Sequence, residues 1–222
     1  ILGSAFAQVE LDSVLVSASR FNSSLQNANR NVIVLTQEDI SNAPVASVSE
    51  LLDFATGIDS RQRGTFGTQT DLSIRGSSFE QVLVLVNGIR LSDPQTGHHL
   101  MNLPVQKSDI ERIEILLGGG SYIFGGSAFS GAVNIITKNA KKNRTSAQAG
   151  IGSYNSYQAG ITQQLAGKNH STSISVNRTA SADGFKKNTD FENTNIYAQS
   201  GINIGKGELR LSSGYTDQGF GA

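Results

Sequence analysis

The chain has 222 residues, with 18 Lys+Arg against 18 Asp+Glu, no Cys, 24 Gly and 3 Pro. Zero net charge argues against a dedicated nucleic-acid binder, whose affinity would rest on neutralising phosphates, and the lack of Cys removes disulfides, thiolate zinc sites and cysteine nucleophiles together. The longest apolar run, Val82–Val86, falls far short of the ~18 residues of a membrane-spanning helix, so a helical membrane protein is excluded.

Residues 1–7 read as the end of an apolar export segment closed by the A-x-A signal Ala5-Phe6-Ala7; an ordinary apolar N-terminus is the plainer alternative. Residues 8–30 form a polar tail around the extended segment Asp12–Ala18, which a partner could take up as an added strand or which could be a first core strand. Compact α+β patterning fills 31–140. Asn31–Leu35 is a strand, Thr36 an N-cap with Asp39 in reach, and a short helix follows over Gln37–Asn42. Ser47 or Ser49 opens a second helix through Ala55, with Gly57 as a left-handed cap. Leu72–Arg75 alternates as a strand, and Gln81–Val86 is apolar enough to be buried on both faces. Asn87-Gly88 is a hairpin turn signal with Ile89–Leu91 returning. Ile110–Leu117 and Ala132–Thr137 complete a small mixed sheet of four or five strands around the Gly-rich stretch 118–131.

After the basic linker Lys141–Arg144 the text turns polar and alternating. Thr145–Gly152, Tyr157–Ala166, Ser171–Ala180, Asn193–Ile204 and Glu208–Thr216 each match the ~9–11 residues of a tilted transmembrane strand. The short turns Gly167–His170 and Gly205–Gly207 would then lie on the periplasmic side and the long connection Ser181–Glu192 outside. A soluble β-sandwich would alternate in the same way, so the alternation alone leaves both open. Five strands cannot close a barrel without unpaired edges in lipid, so residues 145–222 are expected to be the first strands of a truncated one.

Chemistry is sparse. Gly120–Gly126 nearly spells a phosphate-binding loop, but Gly126 stands where its lysine belongs. The adjacent His98-His99 diverge in any regular structure, and three scattered His give no visible triad, so no catalytic residue is assigned and the chain is not read as an enzyme. Ser60–Thr70 and Leu91–Asn102 read as long polar loops of the kind that bind ligands, offering Arg61, Arg63, Thr65, Gln69, Asp93, Gln95, His98 and His99.

Several segments together resemble one family, the TonB-dependent outer-membrane receptors. Glu50–Ile58 is similar to its "LL…PGV" helix end, with Thr56 where Pro is usual. Leu72–Gly76 with Val82–Leu91 resembles "IRG…VLVLIDGVRL". Ile110–Leu116, Tyr122–Gly125 and Gly131–Lys138 resemble "VERIEVLRGP…YG…GGVINIITK", with Leu117-Gly118-Gly119 in place of Arg-Gly-Pro. Asp12, Ser13, Val14, Leu15, Val16, Ser17 and Ala18 are similar to the TonB box of the vitamin B12 transporters, D-T-L-V-V-T-A.

The resemblance implies an α+β plug followed by antiparallel barrel strands, in the outer membrane of a Gram-negative bacterium. It implies active import of a large scarce solute, cobalamin-like or an iron–siderophore, with the TonB periplasmic domain pairing with residues 12–18 to shift the plug. A plug-type sensing or docking module is the alternative. Arg75, Glu111, Arg112 and Glu114 are available for plug–barrel ion pairs, which fix register more than they stabilise. No cofactor is implied beyond a calcium ion held by Asp183, Asp190 and Glu192 in the external connection.

Overall fold

The computed structural model describes residues 15–16, 23–24, 31–64, 68–91, 97–182, 187–205 and 207–221. Strands β1 (Leu15–Val16) and β2 (Ser23–Ser24) pair antiparallel, Leu15 opposite Ser24. β3 (Val32–Leu35) runs into α1 (Gln37–Asn42). Thr36 Oγ1 accepts from Asp39 N (3.2 Å) while the Asp39 carboxylate accepts from Thr36 N (2.8 Å), the reciprocal cap that the sequence spacing predicts. α2 (Val48–Leu52) opens the same way from Ser47 and Glu50. It stops at Leu52, well before Gly57, which sits at φ +89° in the following turn.

The expected loop over Ser60–Thr70 is corrected by the structure. β4 (Ile58–Gln62) and β5 (Thr70–Ile74) form an antiparallel hairpin with Arg61 opposite Asp71. The first strand of this pair, Ile58-Asp59-Ser60-Arg61-Gln62, is polar and carries little of the β-branched signal by which strands are found. β6 (Val82–Val86) is buried along its whole length and turns at Asn87 (φ +52°) and Gly88 (φ +78°) into β7 (Ile89–Arg90). Positive φ at both positions marks the hairpin turn whose twist matches the flanking strands. β8 (Ile110–Leu117), α3 (Ser121–Phe124) and β9 (Gly131–Thr137) follow, so the Gly-rich stretch holds a helical turn.

The five-stranded sheet has the order β3-β8-β9-β6-β7, parallel between β6 and β9 and antiparallel elsewhere. Its core joins Leu51 and Leu52 to Val84, Ile113, Val133 and Ile135, all essentially sealed from solvent. Glycine is required at 131, because a Cβ there would lie 2.3 Å from Leu116 O and 2.6 Å from Ile74 Cδ1.

The second sheet is a meander of β10 (Arg144–Gly152), β11 (Ser156–Ala166), β12 (His170–Ser181), β13 (Phe191–Ile204) and β14 (Gly207–Phe220). Register places Ala147, Ile161, Val176, Ile196 and Tyr215 side by side, and beside them Gln148, Gly160, Asn177, Asn195 and Thr216. The first row points away from the rest of the molecule, with Ile161 52% and Val176 40% exposed. The second points at the α+β unit, where Asn177 is 4% and Asn195 1% exposed. Apolar outside and polar inside is the reverse of a soluble sandwich and is the pattern of a barrel wall facing lipid. The eleven residues of β11 extend about 36 Å, or about 28 Å of membrane thickness at the usual tilt.

Candidate functional site

The α+β unit and the strand wall meet through side-chain amides and hydroxyls. Asn195, on the inner face of β13, accepts from Gln106 Nε2 (2.7 Å) and donates to Leu103 O (2.7 Å). Gln199, further along the same strand, accepts from Thr137 Oγ1 (2.6 Å) and donates to Lys138 O (2.6 Å). Asn87, at the tip of the β6–β7 turn, donates to Thr137 Oγ1 (2.8 Å) and to Tyr197 OH (3.1 Å) and accepts from Thr137 N (3.0 Å). From β12, Ser175 Oγ donates to Asp109 Oδ2 (3.0 Å). Pro104 lies against Gly214 so closely that a Cβ at 214 would come within 2.5 Å of its ring. Each bond satisfies a buried polar group that would otherwise cost about 1–3 kcal/mol.

Asp109 is the one carboxylate on the seam among the described residues. Burial pushes its carboxyl up from the ordinary range, against the opposing pull of the Gln106 N–H, the Ser175 hydroxyl and the Lys138 ammonium. Burial likewise pulls the Lys138 ammonium down, while Asp109 opposes this. None of these seam residues stands out in the sequence, because partners such as Asn87 and Gln199 lie far apart along the chain. Only the inward parity of Asn195, Tyr197 and Gln199 on one strand could have suggested them.

The proposed ligand residues divide. His98 and Asp71 come together, Nδ1 to Oδ1 at 2.7 Å, with Arg63 Nη2 at 3.2 Å from the other carboxylate oxygen and the Phe79 ring 4.3 Å from the imidazole. Arg61 pairs instead with Asp59 on the exposed face of β4. Gln69 sits at φ +45° beside the start of β5, and His99 Nδ1 accepts from Asn102 Nδ2 (3.3 Å). Thr65, Asp93 and Gln95 lie outside the described residues, as do residues 1–14 and Asp183. Among the described residues no three potential metal ligands cluster, and Glu192 is paired with Arg178 (2.7 Å).

Comparison with known proteins agrees with this arrangement. The family described as TonB-dependent Receptor Plug Domain matches residues 24–132. The vitamin B12 transporter BtuB of Vibrio cholerae serotype O1 is 33% identical over 156 residues, 70% of this chain and 25% of that protein. Its counterpart in Vibrio vulnificus is 29% identical over 207 residues, 92% of this chain and 32% of that protein. The chain belongs to the TonB-dependent receptors. It spans about a quarter to a third of the length of these relatives. Among solved structures, the ferripyoverdine receptor FpvA of Pseudomonas aeruginosa shares the fold at TM-score 0.76 with 15% identity, over 90% of this chain and 27% of that one. The siderophore receptor PirA of Acinetobacter baumannii does so at TM-score 0.69 with 22% identity, over 85% and 31%. The α+β unit is thus the receptor plug, and the meander is the opening part of the barrel wall.

Three of the four charges expected to tie plug to barrel are gathered within the plug. Arg112 donates to Glu114 (2.9 Å) and to Glu111 (3.3 Å), its own neighbours on β8 where the ladder register shifts. Arg75, at φ +54°, holds the turn after β5 through its backbone N–H to Gly57 O (2.9 Å). Among the described residues the plug–wall hydrogen bonds given above are therefore neutral, with that of Asp109 the exception, and the Tyr197 ring packs into the plug core beside them. Of the segment similar to a TonB box, Leu15–Val16 is described and is paired to Ser23–Ser24.

Proposed function

We propose that this chain is the gating part of an outer-membrane importer, in which the plug is displaced by TonB pairing with residues 12–18. The observation that carries the reading is the inverted wall: an apolar row for lipid on one side and, on the other, a plug held by exchangeable hydrogen bonds. The local pairing of Leu15–Val16 supports it, since two residues per strand make few ladder bonds, and a longer partner strand would replace them with more. Barrel strands running outward from the linker put the connections at 153–155 and 182–190 outside and those at 167–169 and 205–206 in the periplasm.

The transported solute is cobalamin-like or an iron–siderophore. The sequence relatives are named as vitamin B12 transporters, which favours the first. Contact on the plug would fall to the Arg63–Asp71–His98 group, whose mutual bonding fixes three polar heads on one surface. Plug–barrel ion pairs from Arg75 remain available to strands beyond β14.

The test is deletion of Asp12–Ala18 in the full-length receptor. Energised uptake of labelled cobalamin or ferric siderophore should be abolished while equilibrium binding to the outer membrane is retained. Uptake that survives the deletion would refute the TonB step.

A further inference from the structure

The plug is attached to the wall unevenly. Its hydrogen bonds reach Ser175 on β12 and Asn195, Tyr197 and Gln199 on β13, and Pro104 packs on Gly214 of β14. Among the described residues no hydrogen bond joins the plug to β10 or β11; the linker's Asn143, which accepts from Ala166 N, is the nearest equivalent. Facing β10–β12 instead is a cavity of about 520 Å³, with Gln148, Gln158 and Asn177 on the wall side and Ser108, Lys138 and the 43–46 segment on the plug side.

This cavity is built for water. Asn177 Nδ2 and Ser108 Oγ are both buried and lack a protein partner, and buried polar atoms left over in this way are normally satisfied by ordered water. At ~30 Å³ per molecule the space holds roughly fifteen waters. Its amides can hydrogen-bond a polar solute in passing, and its cations are already engaged, Lys107 with Ala43 O, Lys138 with Ser108 O and Arg178 with Glu192, which suits conduction better than storage.

The plug side of the cavity is also its least anchored part. Residues 43–46 connect α1 to α2 as a strap outside any sheet. Lys107 Nζ fastens it by donating to Ala43 O and Val45 O, and Ala46 N donates to Glu50 Oε2 (2.9 Å). Swinging the strap breaks these few bonds, which water replaces, and lifts only the half-buried Ala43 and Val45 from the edge of the core. Parting the plug from β13 would instead disrupt a buried network of at least six.

We propose that solute crosses the barrel between the 43–46 strap and the β10–β12 face, with Lys107 as the strap's fastener, while the β13–β14 seam stays closed. This rests on the import reading above. The test uses the full-length receptor, exploiting the absence of Cys from these 222 residues. One variant carries Ala46→Cys with Gln158→Cys, both at the cavity and its mouth; the other carries Pro104→Cys with Gly214→Cys. Each is joined by a short reducible bis-thiosulfonate linker, and binding and energised uptake of labelled cobalamin are measured before linking, after linking and after reduction. The strap link should cut uptake tenfold or more, leave binding intact and reverse on reduction, whereas the 104–214 link should change uptake less than twofold. Uptake indifferent to the strap link, or blocked equally by both links, overturns the route. A full-length receptor without the Cys changes that takes up neither labelled cobalamin nor ferric siderophore overturns the import reading itself.

Discussion

Replacing the two partners of the Thr137–Gln199 bond, singly and together, tests whether the seam holds the plug as its geometry says. Both residues are buried, 1% and 6% exposed, and their atoms stand 2.6 Å apart. Thr137→Val keeps the shape and leaves Gln199 Oε1 with only the longer Tyr197 and Asn87 donors at 3.3 and 3.4 Å, a loss of about 1–2 kcal/mol. Gln199→Met is worse, because the Thr137 hydroxyl, Lys138 O and, through its longer bond, the Tyr197 hydroxyl all lose a partner; the loss is about 2–4 kcal/mol together. In the double variant the hydroxyl that Gln199→Met would orphan is already gone. Its cost should therefore fall below the sum of the singles by about 1 kcal/mol or more. The readout is amide hydrogen exchange along β9 in the full-length receptor in detergent, where 2–4 kcal/mol corresponds to roughly 30- to 700-fold faster opening. Costs that add to within ~0.5 kcal/mol would refute the claim that these two groups act on each other.

Asp109 gives the seam a pH dependence of known sign. Its carboxyl is raised by burial, so the folded plug holds the proton at pH values where the unfolded chain has released it. Its contribution is fully present below the unfolded value and is lost as pH rises through the folded one. Asp109→Asn should flatten the difference in plug stability between mildly acidic and neutral buffer, measured as exchange protection at both; an unchanged slope would contradict this. Val176, at the middle of β12 on the outward row, should not tolerate charge. Val176→Arg in the full-length receptor should cost about 2–4 kcal/mol in urea unfolding from lipid vesicles, as for a charge near the bilayer midplane, while a cost near zero would mean that this face does not meet lipid. Gly131→Ala forces a methyl against Leu116 O and should lower plug stability by about 1–3 kcal/mol, measured by thermal unfolding. Gly126→Ala, where a Cβ meets nothing within 4 Å, should change it little.

Local rules made much of the fold readable. Thr36 with Asp39 and Ser47 with Glu50 announce helix starts, Asn87-Gly88 announces a hairpin, and the run Val82–Val86 announces a buried strand, because each is decided by neighbours within a few residues. Alternation found all five wall strands to within a few residues of their ends. It did not say which face was inside, since Ile161 and Gln158 alternate identically in a sandwich and in a barrel. Only the plug's position against Asn177 and Asn195 settles that. β4 was missed because Asp59, Ser60, Arg61 and Gln62 carry no apolar signal and are held as a strand by pairing with β5. The seam was illegible for a deeper reason. An Asn or Gln on a polar face looks like a solvated residue until a partner 89 or 112 positions away, as Gln106 is from Asn195 and Asn87 from Gln199, folds back onto it.

A wall that turns its amides inward changes what separation means for the plug. Two greasy surfaces pulled apart must each meet water at a cost proportional to their area, and once apart they invite collapse onto the wrong neighbour. Here Gln199 or Asn195, on losing its plug partner, is met at once by solvent able to fill the same bonds. Along these bonds, the Tyr197 ring apart, separation would leave little sticky ground behind, and the memory of where the plug belongs is kept in the spacing of a few donors and acceptors.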